Sequence, residues 1–229
     1  MNNKNFHKCS FFPANSVLLS RYPFIMKTDI ILSGVGGQGI LSIATVIGLA
    51  AIDNDLYIKQ AEVHGMSQRG GAVYSHLRLS DQPIASDLIP MGKADIVLSV
   101  EPMEALRYIP CLKPDGWLVT NTRPFINIAN YPDRQSLTEQ LNMLRNCILI
   151  DADALALECG NTKASNMVML GAAVPFLNLD MKEMEKSIAS IFVKKGYDIV
   201  AMNIRALQAG YSAATKAKVI SNFSMNNSG

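Results

Sequence analysis

Two glycine-rich segments hold the residues whose types and spacing suit chemistry. The first, Gly34-Val35-Gly36-Gly37-Gln38-Gly39, follows the apolar run Ile30-Ile31-Leu32. Gly34, Gly36 and Gly39 fit the spacing G-x-G-x-x-G between a strand and a helix. Glycine there permits a tight turn and close approach of a ligand, and the helix that follows offers unpaired N–H groups to an anion. A dinucleotide site of this kind also wants an acid at the end of the second strand, where Glu62 stands. The plainer reading is that these glycines serve only strand–helix packing or a subunit contact.

The second segment, Glu62-Val63-His64-Gly65-Met66-Ser67-Gln68-Arg69-Gly70-Gly71, fits no nucleotide-binding recipe. Gly65, Gly70 and Gly71 allow positive φ and backbone nests that hold anions. Arg69 is able to clamp a phosphate or carboxylate through two N–H groups. His64 is the candidate catalytic acid or base, since histidine titrates near neutral pH. Each has a plainer role too: His64 bonded to the loop backbone, Arg69 holding loop carbonyls or pairing with Glu62. With Ser67 and Gln68, the segment gathers polar groups that a loop at a strand end usually keeps for a ligand or a partner.

The elements that must position these loops can be read from periodicity. Residues 28–33 form a short apolar run ending in glycines, a buried strand, and 40–53 a helix. A second strand covers 56–61. Residues 72–79 alternate, with Val73, Ser75, Leu77 and Leu79 on one face and Tyr74, His76 and Arg78 on the other. That period marks a half-exposed strand, antiparallel or near an edge. Strands are expected at 95–100, 117–121 and 147–150, with a helix opened by Glu101-Pro102 and another at 136–145. Beyond Asp151 the pattern is helix after helix. Asp180 with Glu183 reads as a capping box, Met181, Met184, Ile188, Ile191 and Phe192 share a face, Gly196 stops that helix, and a last one runs over 197–216. Alternating strands and helices predict an α/β fold, a three-layer α/β/α sandwich with a mainly parallel, Rossmann-like sheet and a helical C-terminal part. Both glycine loops should lie at carboxyl ends of strands.

The chain of 229 residues is 49% hydrophobic and 17% charged, a globular composition with enough length for a sizeable core. A single domain is expected over 26–220, with 1–25 a poorly ordered extension lacking signal-peptide features and 221–229 a frayed tail. The 21 basic and 19 acidic residues balance too closely for nucleic acid to be a partner, and no apolar run is long enough to span a membrane. Cys9, Cys111, Cys147 and Cys159 are scattered, with no C-x-x-C pair. They read as free thiols in a reducing compartment, the cytoplasm, and no metal site is expected.

The two loop motifs together resemble the gamma-type domain of the 2-oxoacid:ferredoxin oxidoreductases. Asp95, Glu101-Pro102 with Glu104-Ala105, and Asn166 to Gly171 match that family as well, and the similarity runs from about Lys27 to Tyr211. Among free-standing chains of this size it is most similar to the beta-subunit branch of the indolepyruvate ferredoxin oxidoreductases. The family decarboxylates a 2-oxo acid on thiamine diphosphate, passes electrons through iron–sulfur clusters to ferredoxin, and delivers the acyl group to coenzyme A. The cofactors carry that chemistry.

For this chain the resemblance implies an accessory subunit, inactive alone. Thiamine diphosphate, Mg and [4Fe-4S] clusters are expected on a large, alpha-type partner subunit, with ferredoxin reached through the complex. Coenzyme A is the candidate ligand shared at the two loops, and self-association stays open. Beside this stand an NAD(P)-binding dehydrogenase domain and a ligand-free scaffold.

Overall fold

The computed structural model describes residues 26–65, 70–126 and 128–226, with side-chain surroundings up to Val219. Six strands form one sheet in the order β2-β3-β1-β4-β5-β6. They are β1 (Lys27–Val35), β2 (Tyr57–His64), β3 (Ala72–Ser80), β4 (Ala94–Ser99), β5 (Leu112–Asn121) and β6 (Cys147–Ile150). β1 is buried from Thr28 to Val35, as expected of a central strand covered on both faces. It pairs in parallel with β4, β4 with β5, and β5 with β6. β3 is antiparallel to both β1 and β2. β1 and β2 therefore run the same way, and their carboxyl ends, with the glycine segments that follow, lie at one end of the sheet.

The alternating stretch at 72–79 is antiparallel, as its period suggests, but it is an interior strand and β2 is the edge. Val73, Ser75, Leu77 and Leu79 are buried on one face. On the other face, Tyr74 and His76 are half-buried. Arg78 is buried there because it forks onto Asp29, with Nε 2.7 Å from Oδ1 and Nη2 3.1 Å from Oδ2. Its Nη1 donates to the carbonyls of Ser86 and Leu88, pinning the loop after β3 against the sheet.

Helices α1 (Ile40–Asp53), α4 (Ala152–Glu158), α5 (Ser165–Ala173), α6 (Met181–Phe192) and α7 (Tyr197–Asn226) cover one face of the sheet. α2 (Pro102–Tyr108) and α3 (Arg134–Asn142) cover the other. The result is the three-layer α/β/α arrangement, with the C-terminal helices all in one layer. α5 and α7 cross backbone to backbone. A Cβ on Gly171 would stand 1.9 Å from the Leu207 carbonyl oxygen, and one on Gly210 would stand 1.9 Å from that of Val168.

Several boundaries differ from the sequence expectation for local reasons. α3 starts at Arg134 and not at Ser136, because the Asp133 carboxylate accepts from the Gln135 and Ser136 amides and caps the helix earlier. β5 begins at Leu112, ahead of an irregularity in its pairing with β4. The capping box of Asp180 and Glu183 is present on α6, and α7 continues past Lys216 to Asn226.

Candidate functional site

The first glycine loop is shaped by contacts that leave no room for side chains. A Cβ on Gly34 would lie 2.3 Å from Val100 Cγ2, and one on Gly39 would lie 2.4 Å from Asn166 Nδ2. Gly39 also has φ of 81°, where side chains are disfavoured, and it caps α1. Gln38 braces the loop: its Oε1 accepts from the Val35 amide at 2.7 Å, and its Nε2 donates to the Val100 carbonyl at 3.4 Å. Gln38 thus ties the end of β1 to the end of β4. Gly37, with φ of 100°, faces open space.

The second segment is less of a loop than its composition suggests. β2 continues through His64, so Glu62 and His64 are strand residues, kept in the ladder by pairing with Ser75 and Val73. Two positions apart, they share a face. His64 Nε2 lies 2.5 Å from Glu62 Oε1, and Gln60 Nε2 donates to Glu62 Oε2 at 3.4 Å. The Gly65 amide donates to the Ala72 carbonyl at 2.8 Å, closing the β2–β3 connection. Gly70 has φ of 76°. Met66, Ser67, Gln68 and Arg69 lie outside the described residues, so the expectations placed on Ser67, Gln68 and Arg69 have no geometry here.

The structure brings the two segments together. The Gly36 amide donates to the Gly71 carbonyl at 2.9 Å, lacing one loop to the other. Between them is a cleft of about 290 Å³ bordered by Gly36, Gly37, Gly39, Leu41, Glu62 and His64. α1 points its amino end at this cleft with no side-chain cap and no acid in its first turn. A helix end without a side-chain cap, beside glycine backbone, is suited to an anion, and His64 stands largely exposed at the rim. Glu62 instead finds its partner in His64. Among the described residues there is no group of three or more His, Cys, Asp or Glu side chains arranged to hold a metal ion.

Sequence reasoning missed a second cleft, of about 190 Å³, on the other side of the first loop. Gln38, Asn121, Arg123, Phe125 and Ser165 line it. Arg123 lays its Nε on both carboxylate oxygens of Asp151, at 3.1 and 3.2 Å. Burial would raise the Asp151 pKa, but the Ala154 amide and Arg123 outweigh it and hold the carboxyl below its usual range. Asn121 bridges the end of β5 to α4, accepting from the Arg123 and Ala152 amides and donating to Asp153. No single stretch of sequence carries this cleft; five segments meet to form it.

Glu101 has a larger role than opening a helix. Its Oε2 accepts from the Glu104 amide at 2.8 Å, capping α2, while Oε1 accepts from the Phe125 amide and the Tyr131 hydroxyl. Beside it, burial pushes the Glu104 carboxyl up from its ordinary pKa, against the pull of Arg107. Burial also raises Cys147, to about 12, leaving an inert thiol.

An open, mainly parallel α/β sheet with helices on both faces and a glycine loop at the carboxyl end of its first strand is a fold of the doubly wound class. The chain belongs to the pyruvate ferredoxin/flavodoxin oxidoreductase family, which it matches over residues 29–213. It is 37% identical over 196 residues to indolepyruvate oxidoreductase subunit IorB of Pyrococcus horikoshii, covering 81% of this chain and 95% of the relative. The fold is shared with pyruvate oxidoreductase subunit PORC of Thermotoga maritima, at a TM-score of 0.64 and 22% identity over 82% of this chain and 96% of that one. It is shared too with a chain of the 2-oxoglutarate:ferredoxin oxidoreductase of Magnetococcus marinus, a structure with 2-oxoglutarate, coenzyme A and succinyl-CoA bound. There the TM-score is 0.67 at 20% identity, over 83% of this chain and 31% of the longer one. Relatives of this chain are small subunits of 2-oxoacid oxidoreductases, which places it with the oxidoreductases and not with free-standing dehydrogenases.

Proposed function

We propose that this chain is the accessory subunit of a 2-oxo acid:ferredoxin oxidoreductase acting on arylpyruvates such as indolepyruvate, and that its glycine cleft forms one wall of a coenzyme A site shared with a large subunit. The carrying observation is the Gly36–Gly71 hydrogen bond, which sets two anion-friendly backbone segments around one cleft with His64 at the rim. Similarity to IorB over nearly that subunit's whole length favours the arylpyruvate branch. In this reading thiamine diphosphate, Mg and the [4Fe-4S] clusters lie on the partner, and ferredoxin meets the assembled complex in the cytoplasm. Among the described residues no helix is long and apolar enough to cross a membrane.

This chain's own groups bind and orient. The amides at the start of α1 take phosphate oxygens, since a helix amino end favours negative charge. His64 borders the ligand from the rim, its ring oriented by Glu62. Arg69, in the same segment, is the candidate second donor.

The test is reconstitution with the large subunit and assay against aryl and branched 2-oxo acids at varied coenzyme A. His64→Ala and Arg69→Ala complexes should assemble and show a coenzyme A KM raised on the order of tenfold, as expected when a polar contact to the ligand is lost. An unchanged coenzyme A dependence with failed assembly would make these loops docking elements only.

A further inference from the structure

Residues 124–132, Pro-Phe-Ile-Asn-Ile-Ala-Asn-Tyr-Pro, contain no charged side chain. They follow β5 at the carboxyl end of the sheet, and Phe125 is 43%, Ile126 73% and Ile128 43% exposed. Apolar side chains clustered on one surface loop mark an interaction site more often than chance. The loop is held in this pose from beneath. Glu101 is 0% exposed, and its Oε1 accepts from the Phe125 amide and from the Tyr131 hydroxyl, one near each end of the loop. A buried carboxylate is costly without several donors. Among the described residues three groups donate to it and the loop supplies two, so releasing the loop would strip the carboxylate of those two partners.

We propose that this Glu101-anchored loop is the surface on which the large subunit seats. The inference rests on the accessory-subunit reading above. Three observations select that occupant. Phe125, Ile126 and Ile128 offer an uncharged, apolar face, and the Glu101 bonds to Phe125 and Tyr131 lower the entropic cost of docking on it. Phe125 lines the second cleft together with Gln38 of the first glycine loop, so a partner seated there would close over the end of the sheet where the coenzyme A wall is proposed. In the Magnetococcus marinus structure this fold is 31% of a longer chain, joined covalently to other parts of its enzyme. A separate accessory subunit, as proposed above, would make the corresponding contact across an interface.

The experiment is co-purification of full-length variants with the tagged large subunit, with affinity measured by titration. The Phe125→Ser/Ile126→Asp double variant should melt like wild type yet bind the large subunit on the order of a hundredfold more weakly, as expected when central apolar anchors are lost. Tyr197→Asp, at an exposed site on α7, should bind like wild type. Glu101→Gln keeps the shape of the anchor and should weaken binding less than the double variant. Double-variant affinity equal to wild type overturns the surface assignment while leaving the accessory-subunit reading intact. Wild-type chain that never associates with the large subunit overturns both. A wild-type dimer that the double variant turns into a monomer, with large-subunit binding unchanged, would give the surface to a second copy and overturn the proposal.

Discussion

The Gly36 amide donates to the Gly71 carbonyl at 2.9 Å, and this bond is where the two glycine segments become one structure. It exists because β3 lies between β1 and β2, so the chain leaving β1 passes directly beside the chain entering β3. A Cβ on Gly36 would make only ordinary contacts, at 3.7 Å from Gly70 N and Gly71 O. Gly36→Ala should therefore fold with stability within about 1 kcal/mol of wild type. It should nonetheless raise the coenzyme A KM of the reconstituted complex, because the new methyl borders the cleft. Thermal unfolding beside coenzyme A titration separates the two effects, and an unchanged KM would count against the cleft.

Gly39 should tolerate nothing. Alanine there meets a φ of 81° and stands 2.4 Å from Asn166 Nδ2. Gly39→Ala is expected to destabilise by about 2–3 kcal/mol from backbone strain and crowding together. Asn166→Ala removes the crowding together with the 3.4 Å hydrogen bond from Asn166 Nδ2 to the Gly39 carbonyl, so the double variant should recover part of the loss in a denaturant cycle. Simple additivity would mean that Asn166 yields freely.

Arg78→Met should cost about 3 kcal/mol in urea unfolding, since it leaves Asp29 buried with one cation fewer. Lys27 remains 2.6 Å from Asp29 Oδ2 and limits the loss. Arg78→Lys should not restore wild-type stability, because an ammonium cannot reproduce the fork onto both oxygens while also reaching Ser86 and Leu88. Recovery by lysine would show that charge alone suffices.

His76 predicts a pH dependence. Its Nδ1 accepts from the Ile89 amide at 3.1 Å, which requires the neutral ring on that nitrogen. Burial lowers its pKa, with Arg78 adding to the effect and Asp87 and Asp29 opposing it. The folded value thus lies below the unfolded one of about 6.5. As pH falls below that value, the unfolded chain takes up a proton that the folded chain resists. Stability from this group is present above about pH 6.5 and declines as pH drops through the folded pKa. His76→Asn keeps an acceptor near the Nδ1 position and removes the titration. The wild-type minus variant difference in unfolding free energy should fall as pH drops below about 6.5. A flat difference would place the His76 pKa at its ordinary value.

Much of this architecture is local and was legible in the sequence. The strand–helix alternation, the glycine turn into α1, the Asp180–Glu183 cap and the Gly196 stop depend on residues a few positions apart, so they follow from periodicity and side-chain type. Asp133 shows where even local reading slips: periodicity placed the start at 136, and the Asp133 carboxylate caps the helix two residues earlier. What the sequence could not decide are the pairings across long separations. Nothing in 72–79 says that this strand slips between β1 and β2, yet that insertion turns Glu62 and His64 into strand residues and laces Gly36 to Gly71. The second cleft and the Glu101 anchor are of the same kind. Arg123, Ser165 and Gln38 come from segments far apart, and Glu101 reads as a helix cap until the fold brings Phe125 and Tyr131 over it. Local chemistry settled which residues were able to act, and the order of strands in the sheet settled which of them meet.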